Sequence, residues 1–428
     1  MGNIFTHEMR LLADPSRVVV RPFHLAWHEK SGNPSRSAQL IRRVLELDEE
    51  TVESELAKVL RDFDKRHWQT RQVFRIRFQE INARIGLDPA ELSENVQLLI
   101  GAYFCHEYSY AAAALTNPSI VPHPDQSGMD EGSLRFLMSA RAVGEGHISS
   151  VAFREGIVTA DREIRLLPLP PFATAANQVD MGSDLDDPDA SIAVHRNPDS
   201  TISGTVIFPV TDAQANGIED LRLTKFIHDD GRQEYIGTYT AYSGQTIRSE
   251  LLRTENFTRF DLMPMRGDAA SNKGMGLFPR TIDGKYQMIG RQDGKNLYLL
   301  QSDDLECWNG GALLLEPHYP WEFVQIGNCG PPIEIDEGWL LLTHGVGAMR
   351  KYSIGAILLD RKNPMKVIGR TARPILSAAE DDREGYVPNV VYTCGAVRNG
   401  DQIFIPYGVA DSSVAFGFIS IPDLLGKM

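Results

Sequence analysis

The sequence predicts a chain that is all-β for most of its length: a five-bladed β-propeller over residues 115–428, preceded by an N-terminal α-helical extension over residues 1–114. Two observations carry that prediction. Apolar residues recur at helical spacing before residue 115, and short strand-like runs split by Gly, Asp-Gly and Asn-Gly follow it. The strand-like runs also share an order, in which a first strand, a turn, a second strand and a third strand with a polar turn recur. The second strands end at Arg141, Tyr242, Arg291, His344 and Tyr407, spaced after the first by roughly 50–60 residues, as propeller blades are. A β-sandwich would offer similar strands without the shared order.

In LDEETVESELAKVLRDF, Val52, Leu56, Val59, Leu60 and Phe63 fall on one helical face, after Asp48 as N-cap and an acidic first turn. In LDPAELSENVQLLIGAYF, Asp88 is placed to cap, Pro89 suits the first helical position and Glu91 completes a capping box. Such charged helices are suited to packing or to joining copies, so a homo-oligomer through them is expected.

The strand region is clearest in GLFPRTIDGKYQMIGRQDGKNLYLLQSDDLECW, where TIDGK and RQDGKN read as hairpin turns. The polar stretch DMGSDLDDPDASIAVHRNPDSTISG is expected to be an insertion between the first two blades. In a propeller the inner strands end at a central funnel. A strand such as GWLLLTHG can therefore be apolar along its length and carry chemistry at its tip, His344.

Bulk properties narrow the function. The 428 residues carry a formal net charge of −14, which argues against a nucleic-acid backbone or an anionic membrane as the main partner. A small anion would need a local cationic pocket. The four cysteines are scattered without a CxxC pair, and no His or carboxylate spacing suggests a metal site. The start has no apolar stretch of signal-peptide length, and a cytoplasmic protein is expected.

Several residues are candidates for chemistry. Asp220, in GIEDLRL, opens a strand beside Glu219 and Arg222, and paired carboxylates can divide acid and base roles; a capped turn with a solvated ion pair is the alternative. MRGDAASNKGMGLFPR supplies Arg266 and Lys273 in a Gly-rich loop able to hold an anion. His344 and Tyr352 flank the Arg350-Lys351 turn, where a hairpin could return both to one face. Asn117, Ser119, Arg141, His147 and Ser149 are polar groups near strand ends. Trp308, Trp321 and Trp339 suit sugar stacking or a core equally.

The ordered motifs TNPSIV, IEDLR, NKGMGLFPR, DLECW, IGNCGPPIEIDEGWLLLTHGV, YSIGAILLDRKNPMKVIGR, GYVPNVVYTCG and YGVADSSV resemble glycoside hydrolase family 130, the β-mannoside phosphorylases and related mannosidases. The resemblance covers about residues 115–425 and implies a five-bladed propeller. It also implies phosphorolysis of a β-linked mannoside with inversion, giving α-mannose 1-phosphate, with inorganic phosphate as co-substrate and no cofactor. By the same resemblance Asp220 is the acid, protonating the bridging oxygen through the mannose 3-hydroxyl. Arg266, Lys273, His344 and Tyr352 would bind phosphate, and Asn117, Ser119, Arg141, Asp382 and Asp411 would line the mannose subsite. Thr343 and Asp382 depart from the family's usual residues where selectivity is set. A β-mannosidase using water and a non-catalytic sugar-binding propeller are the competing readings.

Overall fold

A computed structural model describes residues 4–27, 34–178, 190–380 and 382–428. The chain divides into two compact units, and most of it is β-structure.

One unit comprises Pro15–Tyr110 with Pro170–Ala175. Its helices are α1 (Arg36–Leu45), α2 (Glu49–Phe63), α3 (Thr70–Ile85) and α4 (Glu94–Tyr103). Asp48 caps α2 by accepting the Thr51 N–H at 2.8 Å. Asp88 caps only a 3₁₀ turn, Pro89–Glu91, because Leu92 is extended; α4 starts afresh behind Ser93, whose hydroxyl accepts from Val96 N. The apolar faces of these helices meet in a core that includes Ile41, Val52, Phe78, Leu99 and Phe104. Val18–Pro22 and Cys105–Ser109 add an antiparallel ribbon.

The other unit holds residues 4–14, 111–169 and the described residues from 176 onward. Its first sheet runs through Ala114–Pro122, Leu134–Val143, Ser149–Val158 and Ile164–Leu166. The second runs through Gly217–Ile227, Gln233–Tyr242, Ile247–Thr254 and Arg259–Pro264, and Gly217 pairs in parallel with Ser149 of the first. The third comprises Gly276–Leu277, Tyr286–Gly290, Leu297–Ser302 and Ala312–Leu315. The fourth centres on Gly338–Val346 paired with Tyr352–Leu359, and the last on Gln402–Val409 paired with Ser413–Ser420. Residues 4–14, assigned by sequence to the helical extension, instead contribute Phe5–Leu11, which pairs with Ser413–Ser420. Of the expected insertion, residues 180–189 lie outside the described residues. Ile192–His195 is not loop but a strand of the second sheet, paired with Arg259–Pro264 on one side and with Asn177–Gln178 on the other.

The sheets pack in chain order, face to face. Val121 and Leu137 of the first meet Leu223 and Leu252 of the second. Phe226 and Ile236 of the second meet Met288 and Leu300 of the third. Ile289 and Leu299 meet Leu341 and Ile357 of the fourth, and Leu342 and Ile354 meet Ile403 and Ile405 of the last. Phe404 and Phe416 of the last then return to Phe136 and Met138 of the first. Trp308 and Trp339 are fully buried in these interfaces, so they serve as core and not as sugar platforms.

Among the buried polar groups, Glu155 ties the first sheet to the turn Ile202–Gly204. Its carboxylate accepts from Ser203 N at 3.2 Å and Ser203 Oγ at 2.8 Å, and stands 3.3 Å from His123 Nε2. Burial raises its pKa, but these partners bring it down to about 2. A carboxyl depressed on folding stabilises above its ordinary pKa, and that contribution fades as pH falls towards the folded value. Glu155→Gln is therefore expected to cost about 1–3 kcal/mol at pH 7, with the difference shrinking as pH falls from about 4.5 towards 2. Urea titration of both proteins at several pH values measures it.

Candidate functional site

Two strands, and the turn after a third, depart from regular geometry where a polar residue is needed. The register slips between Thr116 and Ser119 and again between Glu219 and Arg222. Within these bulges Asn117 has φ 47° and Asp220 has φ 54°. Asp411, in the turn after Gln402–Val409, has φ 53°. Left-handed backbone is best tolerated by Asn and Asp among residues with a side chain, and bulges re-aim side chains. The three side chains line one cavity of about 160 Å³, together with Arg141, Lys273, Arg291, Gln325, His344, Arg350, Tyr352 and Tyr392.

Asp220 sits at its base. Asn117 Nδ2 donates to its Oδ1 at 2.7 Å, and Arg141 and Arg222 each stand 3.8 Å from its carboxylate. Arg222 is buried below, donating to the Asp220 carbonyl at 2.8 Å and to the Tyr392 hydroxyl at 2.7 Å. Burial pushes the Asp220 carboxyl up, but Arg141, Arg222 and Lys273, with the Asn117 hydrogen bond, outweigh it and hold the group below its usual range. Asp411 goes the other way. Burial raises it, and the Asp220 carboxylate reinforces that against the opposing Arg141. Glu219, raised by burial, is bound to Arg141 Nη2 at 2.6 Å.

The opposite chemistry lies on the third and fourth sheets. The sequence returns His344 and Tyr352 across a hairpin, and their rings stack at 5.9 Å and 12°. Gly327, paired with His344, must be glycine, since a Cβ there would lie 2.3 Å from the imidazole Cε1. Burial first, then repulsion from Arg291 and Arg222, pushes the His344 pKa well below its ordinary value. The ring is therefore neutral. Arg291 Nη1 lies 3.3 Å from His344 Nε2 and can only donate, so Nε2 accepts and the ring proton sits on Nδ1. Among the described residues neither Lys273, Arg291 nor Arg350 is within ion-pair distance of a carboxylate, and Arg291 Nε is buried without a partner.

Of the residues expected from sequence, Asp220, Lys273, His344, Tyr352, Asn117, Arg141 and Asp411 come together here. Three do not. Arg266 is 57% exposed and faces Asp304 and Glu306 at 3.8 and 3.6 Å, so it lies outside the cavity. Ser119 is buried, and its Oγ accepts the Leu223 N–H at 3.0 Å, tying the first sheet to the second. Asp382 is held by Arg10 at 2.6 Å and by Ala379 N at 3.2 Å. The guanidinium that reaches the cavity from the third sheet is Arg291, directly after Tyr286–Gly290. Its signal was its place at a second-strand end, equivalent to Arg141 and His344. Arg350, which also lines the cavity, stands in the cationic turn beside Tyr352. No group of three or more His, Cys, Asp or Glu among the described residues could hold a metal.

Comparison with known proteins bears on this site. A family model described as beta-1,4-mannooligosaccharide phosphorylase, glycoside hydrolase family 130, matches residues 181–428. A 1,2-beta-oligomannan phosphorylase of Thermoanaerobacter sp. (strain X514) is 34% identical over 219 residues, covering 50% of this chain and 72% of that protein. A beta-1,2-mannobiose phosphorylase of Listeria innocua is 32% identical over 232 residues, covering 52% of this chain and 63% of that protein. A beta-1,4-mannooligosaccharide phosphorylase of Ruminococcus albus is 34% identical, over 36% of this chain and 50% of its own length. A glycosyl hydrolase structure from Bacteroides ovatus superposes with a TM-score of 0.51 at 18% identity, over 73% of this chain and 86% of that one, a likeness of fold alone. Because the family model spans more than half of the sequence and the oligomannan phosphorylase is matched over 72% of its length, the chain belongs to glycoside hydrolase family 130.

Proposed function

We propose that this protein is an inverting β-mannoside phosphorylase, using inorganic phosphate to release α-mannose 1-phosphate from a β-linked mannoside. The observation that carries the reading is the charge of the cavity. Four cationic side chains, Arg141, Lys273, Arg291 and Arg350, face two carboxylates, Asp220 and Asp411, while His344 is neutral. The surplus of two positive charges, in a chain of net charge −14, matches a phosphate dianion. A hydrolase would need a carboxylate to activate water instead.

In this reading Lys273, Arg291, His344 and Tyr352 hold phosphate, while Asp411, Arg141 and Asn117 hold mannose. A phosphate oxygen bonds to the anomeric carbon as the bond to the bridging oxygen breaks, and Asp220 supplies that oxygen's proton through the mannose 3-hydroxyl. Phosphate is already charged, so it needs positioning more than activation. A dianion beside Lys273 opposes the field that keeps Asp220 ionised, and so raises its pKa towards that of a working acid. The sheets, each packed on the next with the last on the first, support a five-bladed propeller as the catalytic domain, taken as residues 115–428. The helices before it are assigned as an extension through which copies associate. No helix among the described residues is long and apolar enough to cross a membrane, and we assign the protein to the cytoplasm.

The test is incubation with β-1,2- and β-1,4-mannobiose, with and without phosphate. Phosphate-dependent α-mannose 1-phosphate is the expected product. Free mannose regardless of phosphate would make the protein a mannosidase, and no product from either linkage would leave a sugar-binding propeller.

A further inference from the structure

The cavity of about 160 Å³ is smaller than the roughly 300–1,000 Å³ of pockets that bury most of a drug-sized ligand. One mannose ring with phosphate fills it, so the sugar that leaves must rest on the rim. Two rim positions carry exposed apolar or aromatic side chains. One is Phe323, Val324 and Met349, next in sequence to Gln325 and Arg350 on the fourth sheet. The other is Tyr386, 70% exposed, whose ring stacks on His147 at 5.9 Å and 29°.

The Tyr386 position is built and not incidental. Tyr386 N donates to Ser412 Oγ at 2.8 Å, and Val387 N donates to the Ala410 carbonyl at 2.9 Å, so the two accepting residues flank Asp411. His147 stands at φ 59° in the turn that joins the Arg141 strand to Ser149, and Arg141 Nε donates to Ser149 Oγ at 2.8 Å. The left-handed turn that carries Asp411 and the one that follows the Arg141 strand thus also hold an aromatic ring against an imidazole, leaving the other face of the ring in water.

Inversion decides between the two rims. The nucleophile and the leaving sugar must lie on opposite faces of the anomeric carbon. Lys273, Arg291 and His344 come from the third and fourth sheets, and so do Phe323 and Met349. The His147–Tyr386 pair joins the first sheet to the last. Resting on the reading of phosphorolysis above, we infer that Tyr386, backed by His147, is the platform on which the acceptor-side sugar stacks, and so a determinant of which acceptor is used.

The reverse reaction, from α-mannose 1-phosphate and mannose, tests this with separate Michaelis constants for the two substrates. Tyr386→Ala is expected to raise KM for the acceptor about three- to tenfold, the size of one lost aromatic contact. KM for α-mannose 1-phosphate should stay within about twofold, since that sugar sits inside the cavity. Tyr386→Phe should restore the acceptor KM, and His147→Ala should move it in the same direction as Tyr386→Ala. An unchanged acceptor KM in Tyr386→Ala, or equal rises in both constants, would overturn the assignment while phosphorolysis stood. Absence of any turnover by the unaltered protein would instead overturn phosphorolysis, and the platform with it.

Discussion

Asp220→Asn is expected to lower kcat for phosphorolysis by about 10²–10⁴-fold, the range that loss of a positioned general acid produces. The amide keeps an oxygen to accept from Asn117 Nδ2, so the bulge at φ 54° retains its tie to the first sheet. What it removes is the transferable proton and one negative charge among Arg141, Arg222 and Lys273. Removing that charge leaves the cavity more positive, so phosphate should bind at least as tightly as to the unaltered protein. The pairing of lost turnover with retained or improved phosphate affinity, measured by calorimetry beside kinetics, distinguishes a missing acid from a collapsed site. Retention of a tenth or more of the activity would remove Asp220 from the acid's role. Stability should respond too. The folded pKa of Asp220 lies below its ordinary value, so the carboxylate stabilises at neutral pH, and this is lost as pH falls through the folded value. The variant should accordingly melt lower at pH 7 and approach the parent in acid.

The second large effect is at the anion. Arg291→Ala is expected to weaken phosphate binding and reduce kcat/KM for phosphate by about 10²–10³-fold, the loss seen when one preorganised donor to a developing charge is removed. Among the described residues Arg291, which lines the cavity, has no carboxylate within ion-pair distance, and its buried Nε has no partner. It also donates to His344 Nε2, so its loss frees the imidazole from one source of repulsion, although burial still keeps that ring neutral. Arg266→Ala is the matching control. Its guanidinium is exposed beside Asp304 and Glu306, and a surface pair of that kind contributes about 0–1 kcal/mol. Near-parental phosphate kinetics are expected there. Equal losses in the two variants would return the phosphate site to the Gly-rich loop as a whole.

The contrast between Arg266 and Arg291 shows where sequence reading stopped. Both are arginines close to Lys273 in the chain, and proximity along the chain favours Arg266. The hairpin register favours Arg291, because it ends a second strand just as Arg141 and His344 stand near the ends of theirs. Asp382 and Ser119 fail for a related reason. Each is a short polar residue in a motif that borders the site, and each is spent on structure, one on Arg10 and the other on Leu223 N. Nothing local distinguishes a polar group that faces a cavity from one that closes a sheet.

Strand texture, turn chemistry and net charge belong to the sequence, because each depends on neighbours a few residues away or on a simple sum. From them follow a β-rich chain after a helical start, and the need for a local cationic pocket if an acidic protein is to hold an anion. The motifs added Asp220 at a strand start, Lys273 in a Gly-rich loop, and His344 and Tyr352 on either side of a hairpin turn. The tertiary structure alone decided the rest. Left-handed bulges at Asn117 and Asp220 change where a side chain points without changing the residues that flank it. The strand Phe5–Leu11 joins Ser413–Ser420 across the whole length of the chain, a pairing whose register no local pattern encodes. The opposed pKa shifts of Asp220 and Asp411 come from burial and from charges on neighbouring sheets, Arg141 and Lys273 lowering the first and the Asp220 carboxylate raising the second, so they exist only once the sheets have packed.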